Sequence, residues 1–180
     1  MKVFIAGARK ISKLNKNVFK KLQNILNSGF DVLVGDANGV DKAIQQYFSD
    51  NAYNNVYVYA TNGIARNNIG RWQIVNVETK QQRKDFSFYT IKDKKMASDC
   101  HFGFMIWNGE SKGTLNNMVN LTILDKKVLV YFAPENIFYM INSYNGLEKF
   151  VLSKCDTSIK KIYSDLTQKK GNFQQMIINY

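Results

Sequence analysis

Apolar and polar positions alternate in blocks that change period along the chain. Lys2 to Ala6 is a short apolar run of strand length that ends at Gly7. Val18, Phe19, Leu22, Ile25 and Leu26 then repeat at helical spacing, and Ser28-Gly29 stops them. Asp31 to Val34 predicts a second strand, Ala43, Ile44, Tyr47 and Phe48 a second helix, and Asn55 to Ala60 a third strand. From Thr61 to about Arg83 no period holds. A connection that long inside a domain suggests a lid or binding loop, with Trp72 either in it or in the core. Phe88 to Ala97 fits a helix. His101 to Trp107 is again a strand-length apolar run, followed by the polar loop Asn108 to Thr114. Leu115, Met118, Val119, Thr122 and Ile123 mark a helix, and Val128 to Phe132 a continuous apolar strand. Past Pro134 the pattern predicts a helix over Ile137 to Ile141, a short strand over Phe150 to Leu152, and a helix through Ile159, Ile162 and Leu166. The apolar tail Gln174 to Tyr180 is expected to dock on the domain or on a second copy, which favours a homo-oligomer.

Strand alternating with helix implies an α/β fold, a Rossmann-like three-layer sandwich with a mostly parallel sheet. The chain reads as one domain over 1–180, with a core at 1–132 and a C-terminal extension at 133–180. Three loops fall where a strand's carboxyl end meets the next segment: Gly7 to Arg9, Gly35 to Asp41, and Trp107 to Thr114. In such sheets ligands bind at that edge. A helix start there offers free N–H groups and a dipole that favours an anion. In a purely structural reading, the 108–114 loop is a turn with Thr114 as helix cap.

Charge sharpens this picture. Of 180 residues, 25 are basic and 14 acidic, a net charge of +11 that favours anionic partners or simply keeps the surface solvated. Two cysteines, Cys100 and Cys155, and one histidine, His101, offer no disulfide framework and no zinc site, so no metal and no cofactor is expected. His101 reads as structural. No run is long enough to span a membrane, and the start does not read as a signal peptide, so a cytoplasmic protein is expected.

The motifs taken together resemble the SLOG superfamily of Rossmann-like domains, especially its YspA-like branch. Gly7-Ala8-Arg9 matches its Gly-x-Arg, and Gly35-Asp36-Ala37-Asn38-Gly39-Val40-Asp41 its Gly-Gly-Ala-x-Gly-x-Asp, with Asp36 replacing the second glycine. Asp99 matches the Asp before the fourth expected strand, and Ser111-Lys112-Gly113-Thr114 the Ser-x-Gly-Thr loop after it. The likeness covers 1–132. More distantly, Lys92 to Met96 and the 108–114 loop align with the lonely-guy phosphoribohydrolases. There Lys92 stands for the family's arginine, and Asn116 and Asn117 for its paired glutamates. An amide cannot act as a general base, so turnover by that mechanism is in doubt.

The resemblance implies a nucleotide or nucleotide-derived ligand, with ADP-ribose- or NAD-like molecules among the candidates. Phosphate would be held by Asn108, Gly109, Ser111, Gly113 and Thr114, and the 35–41 loop, with Gly35, Gly39 and Asp41, would hold ribose. Gly7 would permit close backbone approach and Arg9 would clamp phosphate; Arg9 is equally a surface arginine. Trp107 either stacks on a base or sits in the core. If the N-glycosidic bond is hydrolysed, Asp36, Lys92, Asp93 and Glu110 are the catalytic candidates. Asp36 is singled out because an acid inside a Gly loop has no packing reason to be there. Two alternatives stand beside this. One is single-stranded nucleic-acid binding without catalysis, as in the DNA-processing protein A family, using Arg66, Arg71, Arg83 and the tyrosines. The other is base exchange like that of nucleoside deoxyribosyltransferases, with Glu110 as nucleophile.

Overall fold

The computed structural model describes residues 1–178, with side chains through 168. The order is β1 (Lys2–Gly7), α1 (Lys16–Asn27), β2 (Asp31–Gly35), α2 (Val40–Asp50), β3 (Val56–Thr61), β4 (Gln73–Val77), α3 (Phe86–Asp99), β5 (Phe102–Trp107), α4 (Lys112–Ile123), β6 (Val128–Phe132), β7 (Ile137–Ile141), α5 (Tyr144–Lys154) and α6 (Thr157–Ile178). One seven-stranded sheet runs β4-β3-β2-β1-β5-β6-β7, parallel except for the β6–β7 pair. This is the Rossmann-like α/β sandwich expected.

The inner strands are apolar on both faces because both faces are covered. Val3, Ile5, Val32, Val34, Phe104 and Ile106 point to one side, against Val18 and Leu22 of α1 and Ile44 and Phe48 of α2. Phe4, Ala6, Leu33, Met105 and Trp107 point to the other, against α3, α4, α5 and α6. The two-residue period of a strand does this sorting. α4 lies between the sheet and three other helices, and all its residues from Thr114 to Thr122 are buried.

Four sequence expectations are corrected. The aperiodic stretch 61–83 contains an edge strand, β4, paired in parallel with β3. Ile137 to Ile141 is strand, not helix: five residues satisfy either period, and antiparallel pairing with β6 across a tight turn decides it, with Asn136 at φ 57°. Phe150 to Leu152 lies inside α5. Ser143 caps that helix by accepting from Gly146 N, and Leu147, Phe150 and Val151 form its buried face. Trp72 is no lid; its indole donates to Tyr53 O at 2.9 Å and packs on the α1/α2 side. His101 is structural as read, its Nδ1 accepting from Lys2 N. The docking expected of Gln174 to Tyr180 falls outside the described side chains. Among the described residues no helix is long and apolar enough to cross a membrane.

β1 and β5 are neighbours whose following helices, α1 and α4, cover opposite faces. A crevice therefore opens above their carboxyl ends, where the direction of winding reverses.

Candidate functional site

A cleft of about 530 Å³ occupies that crevice. Its walls come from the end of β1 and the residues after it to Lys10, from Ala37 and Asp41 around the start of α2, from Arg66, from Lys84 and Asp85 before α3 and one face of α3 from Phe86 to Met96, and from the 108–114 loop with Asn117 of α4. The turns near residues 7, 37 and 111 thus face one space.

The wall made by α4 is the simplest. Ser111 is the helix cap, not Thr114: its Oγ accepts from Thr114 N at 3.3 Å. Asn108 Oδ1 folds the loop by accepting from the N–H groups of Glu110 and Ser111. A Cβ placed on Gly113 would find nothing nearer than Ser111 Oγ at 4.0 Å, so this glycine leaves the cleft open. One turn further in, Asn117 is 4% exposed and lines the cleft, and its Oδ1 has no hydrogen-bond partner.

The floor is ionic. Lys92 Nζ lies 2.9 Å from Asp93 Oδ1 and 3.7 Å from Asp36 Oδ1, with 5% of its side chain exposed. Burial pushes the Lys92 pKa down, but Asp93, Asp41 and Asp36 together outweigh it and hold the ammonium charged above the ordinary lysine range. Asp36 takes a two-pronged grip from Arg66, with Nη2 at 2.7 Å and Nε at 2.9 Å, and also accepts from the Arg66 N–H. Burial raises its pKa, but Arg66 and Lys92 prevail and keep it below the ordinary value. Asp41 is the exception. Burial lifts it to about 6 against the pull of Lys92, and its Oδ2 accepts from Ala37 N at 3.2 Å.

The mouth is basic and aromatic. Arg9 lies over the Tyr89 ring at 5.4 Å, and Arg66 lies 4.9 Å from the same ring's centre. Lys112 Nζ lies 4.6 Å over Phe86, which is 40% exposed. Lys10 and Glu110 pair at 2.9 Å, both largely in solvent, a contact of little energetic weight. Among the described residues, no carboxylate comes within 4 Å of Arg9, Lys84 or Lys112.

Several expected site residues have other duties. Trp107 is fully buried between Phe132 and Phe150 and its indole donates to Ser111 O, so it cannot stack on a base. At Gly7 a side chain would strike the Ile106 carbonyl and Val40, so the glycine lets β5 and α2 approach closely at a point where it also lines the cleft. Gly39, at φ 78°, lies against the Arg9 backbone. Gly35 leaves room for Asp41 and Lys92, and Gly109, at φ 79°, packs near Phe132 and Pro134. None of these three lines the cleft. Asp36 does have a packing reason: through Arg66 and its own carbonyl, which accepts from Asn67, it ties the 61–72 segment to the sheet edge. Asp99 ends α3, paired with Lys95 and Tyr59. Sequence reasoning missed Lys10, Lys84, Phe86 and Tyr89 because nothing in their spacing places the start of α3 over β1. Asn117 had a signal that went unused: three asparagines, 116, 117 and 120, in an otherwise core-like helix.

No family model matches the chain, and no curated protein does. Among solved structures it is similar to DNA processing protein A from Helicobacter pylori, a protein described for its mode of binding single-stranded DNA. The match has 12% identity, covers 94% of this chain and 81% of that one, and has a TM-score of 0.57. At that identity the likeness is one of fold.

Proposed function

We propose that the chain binds single-stranded nucleic acid in this cleft, seating a backbone phosphate at the start of α4, and does not cleave it. The observation that carries the reading is the mouth. Arg9, Lys84 and Lys112 converge there without carboxylate partners, beside the rings of Phe86 and Tyr89. Cations supply the sequence-independent attraction to phosphates, and rings give bases a surface to stack on. The fold it shares with a protein that binds single-stranded DNA supports the same reading.

The carboxylates argue against turnover. Asp36 is held by Arg66 and Asp93 by Lys92, while Glu110 stands largely in solvent beside Lys10. Amides occupy 116 and 117, where the related hydrolases would carry acids.

Fluorescence anisotropy with a labelled single-stranded oligonucleotide tests the proposal. Binding should weaken steeply with salt. The double substitution Arg9→Ala, Lys112→Ala should cost about ten-fold or more and flatten the salt dependence. Salt-independent binding, or none, rejects it.

Asp41 favours a second reading. A carboxyl raised to about 6 in a cleft is suited to proton transfer, so hydrolysis of a free nucleotide's N-glycosidic bond is the competing proposal. Chromatography for released base, with Asp41→Asn as control, separates the two.

A further inference from the structure

A second cavity, of about 390 Å³, opens beside the cleft at the same edge of the sheet, next to the start of α1. One stretch of main chain divides the two. Ala8 lines the cleft, Ile106 lines the second cavity, and Ala8 N donates to Ile106 O at 3.0 Å. Lys10 lines both.

The lining limits what fits. Ile11, Leu14, Val18 and Ala133 make the wall largely apolar. Its directed polar groups are already engaged. Asn15 Oδ1 accepts from Val18 N, Asn15 Nδ2 donates to the Tyr131 hydroxyl, and that hydroxyl donates to Asn136 Oδ1 at 2.7 Å. The charges are Lys10 and Lys13, both exposed, and no carboxylate lines the cavity. Among the described residues Lys13 forms no ion pair, and Lys10 pairs only with Glu110 in solvent, a contact that a phosphate readily replaces.

Such a wall accepts a flat group by its faces but does not orient it. A free small molecule relies on a few placed polar groups for its orientation, and here those groups are satisfied within the protein. The occupant must be tethered from outside the cavity. A short tether raises its local concentration enough for weak apolar contact to hold it. The next nucleotide of a strand seated in the cleft meets both conditions: its base is flat, and the phosphate that joins it to the first passes Lys10.

We infer that the second cavity is a base pocket for the adjoining nucleotide, so that one strand crosses the Ala8–Lys10 segment with a phosphate on Lys10 and a base on either side. Lys13 then meets the phosphate beyond. This rests on the nucleic-acid reading above and extends its footprint.

The test is photo-crosslinking on the intact chain. Single-stranded oligonucleotides carry one photoreactive base, moved one position at a time, and mass spectrometry identifies the residue attached. One position should attach to Phe86 or Tyr89, and a position close by to the segment 11–15. Two charge reversals of equal size serve as the companion measurement. Lys13→Glu should weaken the binding of a strand of about 12 nucleotides about ten-fold, whereas Lys149→Glu, exposed on α5, should change it about two-fold or less. Both positions are exposed, so the fold is spared. A strand that binds yet attaches only to cleft residues overturns the inference and leaves the nucleic-acid reading intact. So do equal effects of the two reversals. Attachment at 11–15 with none in the cleft overturns the shared path and places the strand elsewhere than that reading does. If no strand binds, the wider reading falls and this one with it.

Discussion

The turns at 35–41 and 108–114 look alike in sequence and do opposite things. Each is glycine-bearing, follows an inner strand and leads into a helix. The 35–41 turn is taken up largely by its own neighbours, and only Ala37 and Asp41 of it reach the cleft. Arg66 and Lys92 take Asp36, Asp41 and Lys92 fill the space over Gly35, and the Arg9 backbone occupies the place of a side chain at Gly39. The 108–114 turn is left open: Gly113 borders empty space, and Asn117 below it is short of one donor. A glycine therefore marks close approach, and only the surroundings show whether the approaching group belongs to the protein or to a ligand.

Three experiments bear on this contrast. The largest effect should come from Lys92→Met. It leaves Asp36, Asp41 and Asp93 without their buried cation, and denaturant unfolding should show a loss of about 3–5 kcal/mol. A loss under 1 kcal/mol would mean the closed turn is not held by charge.

Asp41 gives the next. Its folded pKa, about 6, lies above its ordinary value of 3.8, so between those values the folded chain holds a proton that the unfolded chain has released. The stabilisation is complete below the unfolded value and is lost as pH rises through about 6. The stability of the protein relative to Asp41→Asn should thus fall by about 2 kcal/mol from pH 4 to pH 7. A flat difference would place Asp41 in contact with water.

The smallest effect on stability should come from Gly113→Ala. Alanine suits a helix better than glycine by up to about 1 kcal/mol, and the new methyl meets nothing. Thermal melting should hold or rise slightly while oligonucleotide binding drops, since the methyl stands in the cleft above Asn117. A destabilised Gly113→Ala would make the two turns alike and remove the contrast.

Much of this could be read beforehand. Strands buried on both faces and helices with one apolar stripe follow from local period, so β1, β2, β3, β5, β6 and α1 to α4 were legible. β7 was not, because Ile137, Met140 and Ile141 fit a helical spacing too, and pairing with β6 chose between them. Phe150 to Leu152 misled for the converse reason: the residues that make it helical, Ser143 and Leu147, lie upstream.

The chain's own pattern determined that three glycine turns would sit at one edge of a parallel sheet, because the alternation of strand and helix dictates which ends carry loops. Tertiary structure alone decided which turn stays open, which acids are spent on Arg66 and Lys92, and that Phe86 and Tyr89 of α3 reach the mouth. Those outcomes depend on groups dozens of residues apart competing for the same buried space, and no local period records such a competition.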